Sequence, residues 1–224
     1  VERLIGMFAF AIYDCDRRKI LLARDRAGEK PLFYRHEPGG LRFASELKAL
    51  LEDPAQPRRI DSVSLHHYLA FGTSPGDKSM IEGIRKLPPA HCLSFDLCSG
   101  AVRAWQYWRL PSLNFASRAT ETGIEALSEE FESLFEDAVK KQLVADVPVG
   151  VLLSGGVDSS LVTALAVRQN ADLRTYCLTQ PGAPEHDETA HARLIAEYFG
   201  TRHTELVVDD PEPDVLDRLA WQYD

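Results

Sequence analysis

Short runs of alternating apolar and polar residues fill the first half of the chain, and in the second half the spacing lengthens to three or four residues. Strands are predicted at residues 7–13, 19–24, 31–35, 41–44, 91–95 and 102–108, with turns at Asp14-Cys15-Asp16-Arg17 and Pro38-Gly39-Gly40. Residues 45–51 and 62–71 carry helical spacing, each opening on a serine able to cap, Ser45 and Ser62. This half reads as an α+β layer. From residue 111 to 122 Ser, Asn, Arg and Thr replace the apolar pattern, which predicts a linker. Ile124, Leu127, Phe131, Leu134, Phe135, Ala138 and Leu143 then recur on one helical face, with acids early and Lys140-Lys141 late. After them the order is strand 147–153, helix 158–169, strand 174–178, helix 187–199 closed by Gly200, strand 203–208 and helix 213–221. Such alternation predicts an α/β domain with a parallel sheet. The boundaries expected are therefore 1–112, a linker at 113–122, and 123–224.

The most informative chemistry lies where the first of these later strands ends. Leu153-Ser154-Gly155-Gly156-Val157-Asp158-Ser159-Ser160 is an apolar strand that breaks at two glycines and resumes as a helix. Backbone N–H groups and the serine hydroxyls then sit at or near the positive end of that helix, where an anion is favoured. The loop lacks the Lys-Ser/Thr pair of a Walker loop. Asp158 beside a phosphate site makes sense if a divalent cation bridges the two. Ligands of parallel sheets bind outside the carboxyl ends of the strands, which places Leu153-Ser154 and Leu178-Thr179 at one site.

Composition removes several function classes. The net charge of −9 and pI near 5.3 argue against a general nucleic-acid surface. No apolar run approaches the roughly 20 residues of a spanning helix, and no signal-peptide pattern follows Val1. Cys15, Cys92, Cys98 and Cys177 are irregularly spaced, without a Cys-x-x-Cys pair, and read as reduced core thiols. His66, His67, His186, His191 and His203 form no metal-ligand spacing. Residues 180–185 read as a loop near the site at Leu178-Thr179, where Glu185, Asp187 and Glu188 either act or cap the next helix, capping being the favoured reading. Arg24, Asp25 and Glu46 stand out among the early strands, and a buried ion-pair network explains them as well as catalysis would.

Ser154-Gly155-Gly156-Val157-Asp158-Ser159 resembles the pyrophosphate loop of the ATP pyrophosphatases. Gly6-Met7-Phe8-Ala9-Phe10-Ala11-Ile12-Tyr13-Asp14, the stretch Ala23-Arg24-Asp25-Arg26-Ala27-Gly28-Glu29-Lys30-Pro31-Leu32-Phe33-Tyr34 and Phe43-Ala44-Ser45-Glu46-Leu47-Lys48-Ala49-Leu50 resemble the amidotransferase domain of the glutamine-hydrolysing asparagine synthetase family. Arg85-Lys86-Leu87-Pro88-Pro89-Ala90-His91, Trp105-Gln106-Tyr107-Trp108 and Asp146-Val147-Pro148-Val149-Gly150 continue the likeness in the same order.

The resemblance implies an α+β, N-terminal-nucleophile amidotransferase layer, here its C-terminal part, followed by an α/β ATP-pyrophosphatase domain. It implies ATP and Mg2+, with Leu153, Ser154, Gly155, Gly156, Val157, Asp158, Ser159, Ser160 and Leu178 at the nucleotide and Asp158 on the metal. The substrates implied are glutamine, aspartate and ATP, with neither nucleic acid nor membrane as partner. The reaction implied is amidation of aspartate through β-aspartyl-AMP, in a cytoplasmic protein that forms a homodimer. The family's glutaminase cysteine and second ATP loop have no counterpart in these residues. The resemblance therefore implies an internal piece, inactive by itself, with no catalytic nucleophile of its own. Amidation of another carboxylate, on a cell-surface polymer or secondary metabolite, and a non-catalytic nucleotide-binding scaffold are the alternatives.

Overall fold

A computed structural model of the chain describes residues 1–112, 123–179, 187–208 and 215–223. The predicted linker at 113–122 and the loop at 180–185 lie outside the described residues. The chain divides into two compact units, one formed by Val1–Ser112 with Leu216–Asp224, the other by Leu113–Val215.

In the first unit, β1 (Ala9–Asp14), β2 (Lys19–Arg24), β6 (His91–Asp96) and β7 (Val102–Gln106) form an antiparallel sheet in the order β1-β2-β6-β7. A second antiparallel sheet has β3 (Phe33–Glu37) between β4 (Gly40–Ala44) and β5 (Arg85–Lys86). The two-residue β5 escapes sequence reading because so short a strand shows no alternation. Side-chain alternation sends Leu22, Leu93 and Phe95 to one face, where they meet Leu32 and Leu87 in a buried cluster joined by Tyr34 and Leu41. Leu47 and Leu50 of α1 (Leu47–Leu51) bury against Ile84 and Phe33 on the second sheet.

Two capping expectations change. Ser45 precedes α1 without capping it, since Glu46 holds the N-cap position and makes no side-chain cap. At α2 (Ser62–Phe71) the cap is Asp61, whose carboxylate accepts from the Ser64 amide; Ser62 is already helical. A carboxylate reaches that amide and carries charge suited to the helix dipole. The C-terminal α6 (Val215–Tyr223) lies with the first unit, where Lys48 of α1 donates to the Trp221 carbonyl at 2.9 Å.

The expected ion-pair network is replaced by a knot of backbone hydrogen bonds. Asp25 is 1% exposed, and its Oδ1 accepts from the amides of Ala27 at 3.1 Å and Glu29 at 2.9 Å. Its Oδ2 accepts from Lys30 at 3.0 Å and Phe8 at 3.3 Å. The Arg24 guanidinium donates to the carbonyls of Gly28, Lys30 and Leu87. Gly28 turns the loop with φ of +71°, and a Cβ there would lie 2.7 Å from the Pro89 ring. Glu46 takes no part and pairs with Lys48 at 3.1 Å. Only Cys92 and Cys177 are core thiols; Cys15 and Cys98 are exposed, and all four are free.

The second unit opens with α3 (Ile124–Gln142), which lays Phe135 and Val139 on α4 (Val157–Gln169) around Leu165, Ala166 and Leu173. Its sheet is parallel, in the order β10-β9-β8, from β8 (Gly150–Leu152), β9 (Arg174–Thr179) and β10 (Arg202–Val207). α5 (Thr189–Phe199) packs Ala192 and Ala196 on Leu153 and Cys177. Among the described residues no helix is long and apolar enough to cross a membrane.

Burial opposes ionisation of Asp25, but the N–H donors of Lys30, Glu29 and Phe8 outweigh it and hold the carboxyl below its ordinary 3.8. The contribution to stability is therefore complete above the unfolded value and disappears as pH falls through the lower folded one. Asp25→Asn, which turns a donor toward N–H groups, should cost about 3 kcal/mol in urea denaturation at neutral pH. The gap between variant and wild type should close below pH 3.8.

Candidate functional site

Strand β8 ends at the buried Leu153, whose amide donates to the Tyr176 carbonyl at 2.8 Å and so carries the parallel pairing one residue past the strand. The chain then turns away through Ser154, Gly155 and Gly156. Gly155 has φ of +80°, and a Cβ on it would come within 2.5 Å of the His191 backbone and 2.6 Å of the Ala192 nitrogen in α5. The loop therefore lies directly on α5, a contact only glycine permits. Gly156 takes the N-cap position of α4 in extended conformation, with no side-chain cap.

Hydroxyls tie the loop together from inside. Ser154 Oγ and Ser159 Oγ lie 2.9 Å apart, and Ser159 Oγ accepts from the Ser154 amide at 3.3 Å. Ser159 Oγ also donates to the Gly156 carbonyl at 3.2 Å, and Ser154 Oγ accepts from the Gly156 amide at 3.4 Å. Two hydroxyls expected to face a ligand thus also fix the turn. Ser160 Oγ is buried without a hydrogen-bond partner among the described residues. Asp158, in the first turn of α4, is exposed, and Val157 beside it is exposed as well.

A cleft of ≈ 310 Å³ opens beside the loop, lined by Leu152, Leu153, Ser154, Tyr176, Cys177, Leu178 and Glu188. It brings together three of the residues expected at a nucleotide, Leu153, Ser154 and Leu178, and leaves Gly155, Gly156, Val157, Asp158, Ser159 and Ser160 outside its lining. Leu152 is 76% and Leu178 62% exposed, so together with the half-buried Tyr176 they give the cleft an apolar wall. Sequence reading missed Leu152, Tyr176 and Cys177, although the pairing of β8 with β9 that brings them together follows from the α/β alternation. Of the three acids read as caps, Asp187 accepts from the Thr189 amide at 3.0 Å and caps α5. Glu188 occupies the N-cap position without a side-chain cap and lines the cleft instead. Glu185 lies outside the described residues.

Burial pushes the Cys177 thiol up; the Thr189 hydroxyl opposes this, and the negative fields of Asp187, Glu188 and Glu205 reinforce it. Cys177 is accordingly an inert wall of the cleft. His203 shares a hydrogen bond with Thr175 at 3.0 Å on the sheet. Among the described residues no group of three or more His, Cys, Asp and Glu could hold a metal.

Comparison with known proteins now gives the family. The glutamine amidotransferase domain matches residues 1–108, and the asparagine synthase domain matches residues 130–224. The chain is 35% identical to "Asparagine synthetase [glutamine-hydrolyzing] 3" of Bacillus subtilis, over 98% of this chain and 37% of that protein. It is 33% identical to "Putative asparagine synthetase [glutamine-hydrolyzing] 2" of Methanocaldococcus jannaschii, over 100% of this chain and 43% of the relative. "Asparagine synthetase [glutamine-hydrolyzing] 2" of Arabidopsis thaliana is 33% identical over 92% of this chain and 31% of its own length. The chain thus joins a glutamine amidotransferase domain to an asparagine synthase domain, and it belongs to the glutamine-hydrolysing asparagine synthetase family. It spans less than half the length of these relatives.

The two glycines should differ sharply on substitution. Gly155→Ala meets both a left-handed φ and the α5 backbone, and is expected to destabilise the protein by about 2 kcal/mol or more in thermal denaturation. Gly156→Ala, with only Ser154 Oγ nearby at 3.5 Å, should cost under about 1 kcal/mol. Equal tolerance at both positions would mean that the loop does not rest on α5.

Proposed function

We propose that the protein carrying this chain uses ATP and glutamine to amidate the side-chain carboxylate of aspartate, passing through β-aspartyl-AMP and releasing pyrophosphate. The observation that carries this reading is the Ser154 to Ser160 loop, closed on itself by hydroxyl pairs and set at the carboxyl end of a parallel sheet beside an apolar cleft. The names of the relatives support the reaction class.

In this account the backbone N–H groups of Gly155, Gly156 and the start of α4 hold the phosphates, with the hydroxyls of Ser154, Ser159 and Ser160 beside them. Ser160 Oγ, buried and unpartnered among the described residues, is the kind of orphan donor such a site leaves for a ligand. Backbone groups at Leu153 and Leu178 meet the adenine, whose faces suit the apolar wall of Leu152 and Leu178. Asp158 stands exposed in the first turn of the helix that the loop opens, which fits an ion that takes one or two protein ligands and draws the rest from phosphate and water. That ion is Mg2+; when bound, it neutralises charge on the departing pyrophosphate. The chain's own part is to aim fixed N–H dipoles at the same charge before the reaction begins.

The finer assignments belong to the same proposal. Residues 1–112 are the C-terminal part of an N-terminal-nucleophile amidotransferase domain, 113–122 the linker, and 123–224 the start of an ATP-pyrophosphatase domain. The protein works in the cytoplasm as a homodimer.

Pyrophosphate release from ATP by the protein carrying this chain, with glutamine or ammonia supplied, tests the reading. Release should require aspartate and should fall at least ~100-fold in Asp158→Ala, as befits loss of a group that steadies transition-state charge. Release independent of aspartate would point to another carboxylate acceptor. No release under any condition would leave a nucleotide-binding scaffold.

A further inference from the structure

Glu188 is the charged side chain in the cleft's lining, and neither the fold nor the phosphate site accounts for it. The N-cap task at α5 is done by its neighbour Asp187, so the Glu188 carboxylate is not consumed by the helix. Its backbone is fixed, because its carbonyl accepts from the Ala192 amide at 3.0 Å and Ala192 lies in the segment that Gly155 touches. The pyrophosphate loop closes the cleft at the end of β8, and Glu188 borders it with Cys177 and Leu178 at the end of β9. The loop side of the cleft thus offers the Ser154 hydroxyl, and the other side offers the Glu188 carboxylate, a pure acceptor with negative charge.

We propose that Glu188 reads the nucleoside half of the nucleotide, accepting hydrogen bonds from its amino or hydroxyl donors while its charge keeps the phosphates at the loop. This inference rests on the nucleotide reading given under Proposed function. A nucleoside supplies such donors on its exocyclic amine and ribose hydroxyls, whereas a phosphate chain supplies none and is repelled. The polarity therefore fixes which way round the ligand lies. Glu188 is a specificity residue for the nucleoside and has no part in holding phosphate or metal.

Isothermal titration of wild type, Glu188→Gln and Glu188→Ala with Mg-ATP and with Mg-pyrophosphate separates these roles. Because the side chain is exposed, all three should melt at the same temperature. Glu188→Ala is expected to weaken Mg-ATP about tenfold, the worth of one charge-assisted hydrogen bond. Its affinity for Mg-pyrophosphate should stay within about twofold of wild type, since no donor is lost there. Glu188→Gln, which keeps one acceptor oxygen, should fall between. Unchanged Mg-ATP affinity in Glu188→Ala, with wild type binding, would overturn this inference alone. Equal loss of both ligands would also overturn it, by making Glu188 part of the phosphate or metal site. Failure of wild type to bind either ligand would overturn the nucleotide reading and this inference with it.

Discussion

The second unit depends on a contact that admits no side chain. Gly155 lies against the α5 backbone at His191 and Ala192, at a distance where a single methyl group would force the two apart. That contact seats the loop at the end of the sheet, lets α4 begin at Gly156, and fixes the start of α5 relative to both. Ser154 and Ser159 then close the turn with their own hydroxyls, so the geometry of the loop is set before any anion arrives. Ala192 and Ala196 extend the same logic along α5: small side chains let the helix sit close on Leu153 and Cys177.

Three acids show how surroundings assign roles to one functional group. Asp25 is buried among backbone N–H donors and holds a loop together. Asp187 caps a helix. Asp158 is exposed in the first turn of α4 beside the loop donors, where a charged ligand can reach it. Sequence context already separates Asp158 and Asp187; for Asp25 it is burial and the hydrogen-bonding partners that set the role.

Much of this was legible in the sequence, for identifiable reasons. The parallel unit was readable because strand and helix segments alternate along the chain, opening with the apolar run that ends at Leu153, and because Gly200 gives α5 a left-handed stop. The loop was readable because two glycines between a strand and a helix have few structural uses. The rest needed tertiary contacts. Asp25 and Arg24 were singled out as unusual, but nothing local says that their partners are backbone groups at Phe8 and Leu87. Asp61 displaced Ser62 as the α2 cap because the competition is settled by one residue of helix phase. Tyr176 and Leu152 become neighbours only through the register of β8 on β9, and the division of labour between Asp187 and Glu188 is decided by side-chain direction.

Amide hydrogen exchange across residues 154–160, with and without saturating Mg-ATP, tests the central claim most directly. The account predicts that the amides of Gly155, Gly156 and the first turn of α4 slow on ATP addition, since they are the groups said to hold the phosphates. Unchanged exchange in that loop while ATP is demonstrably bound would contradict it and move the phosphate site elsewhere in the protein.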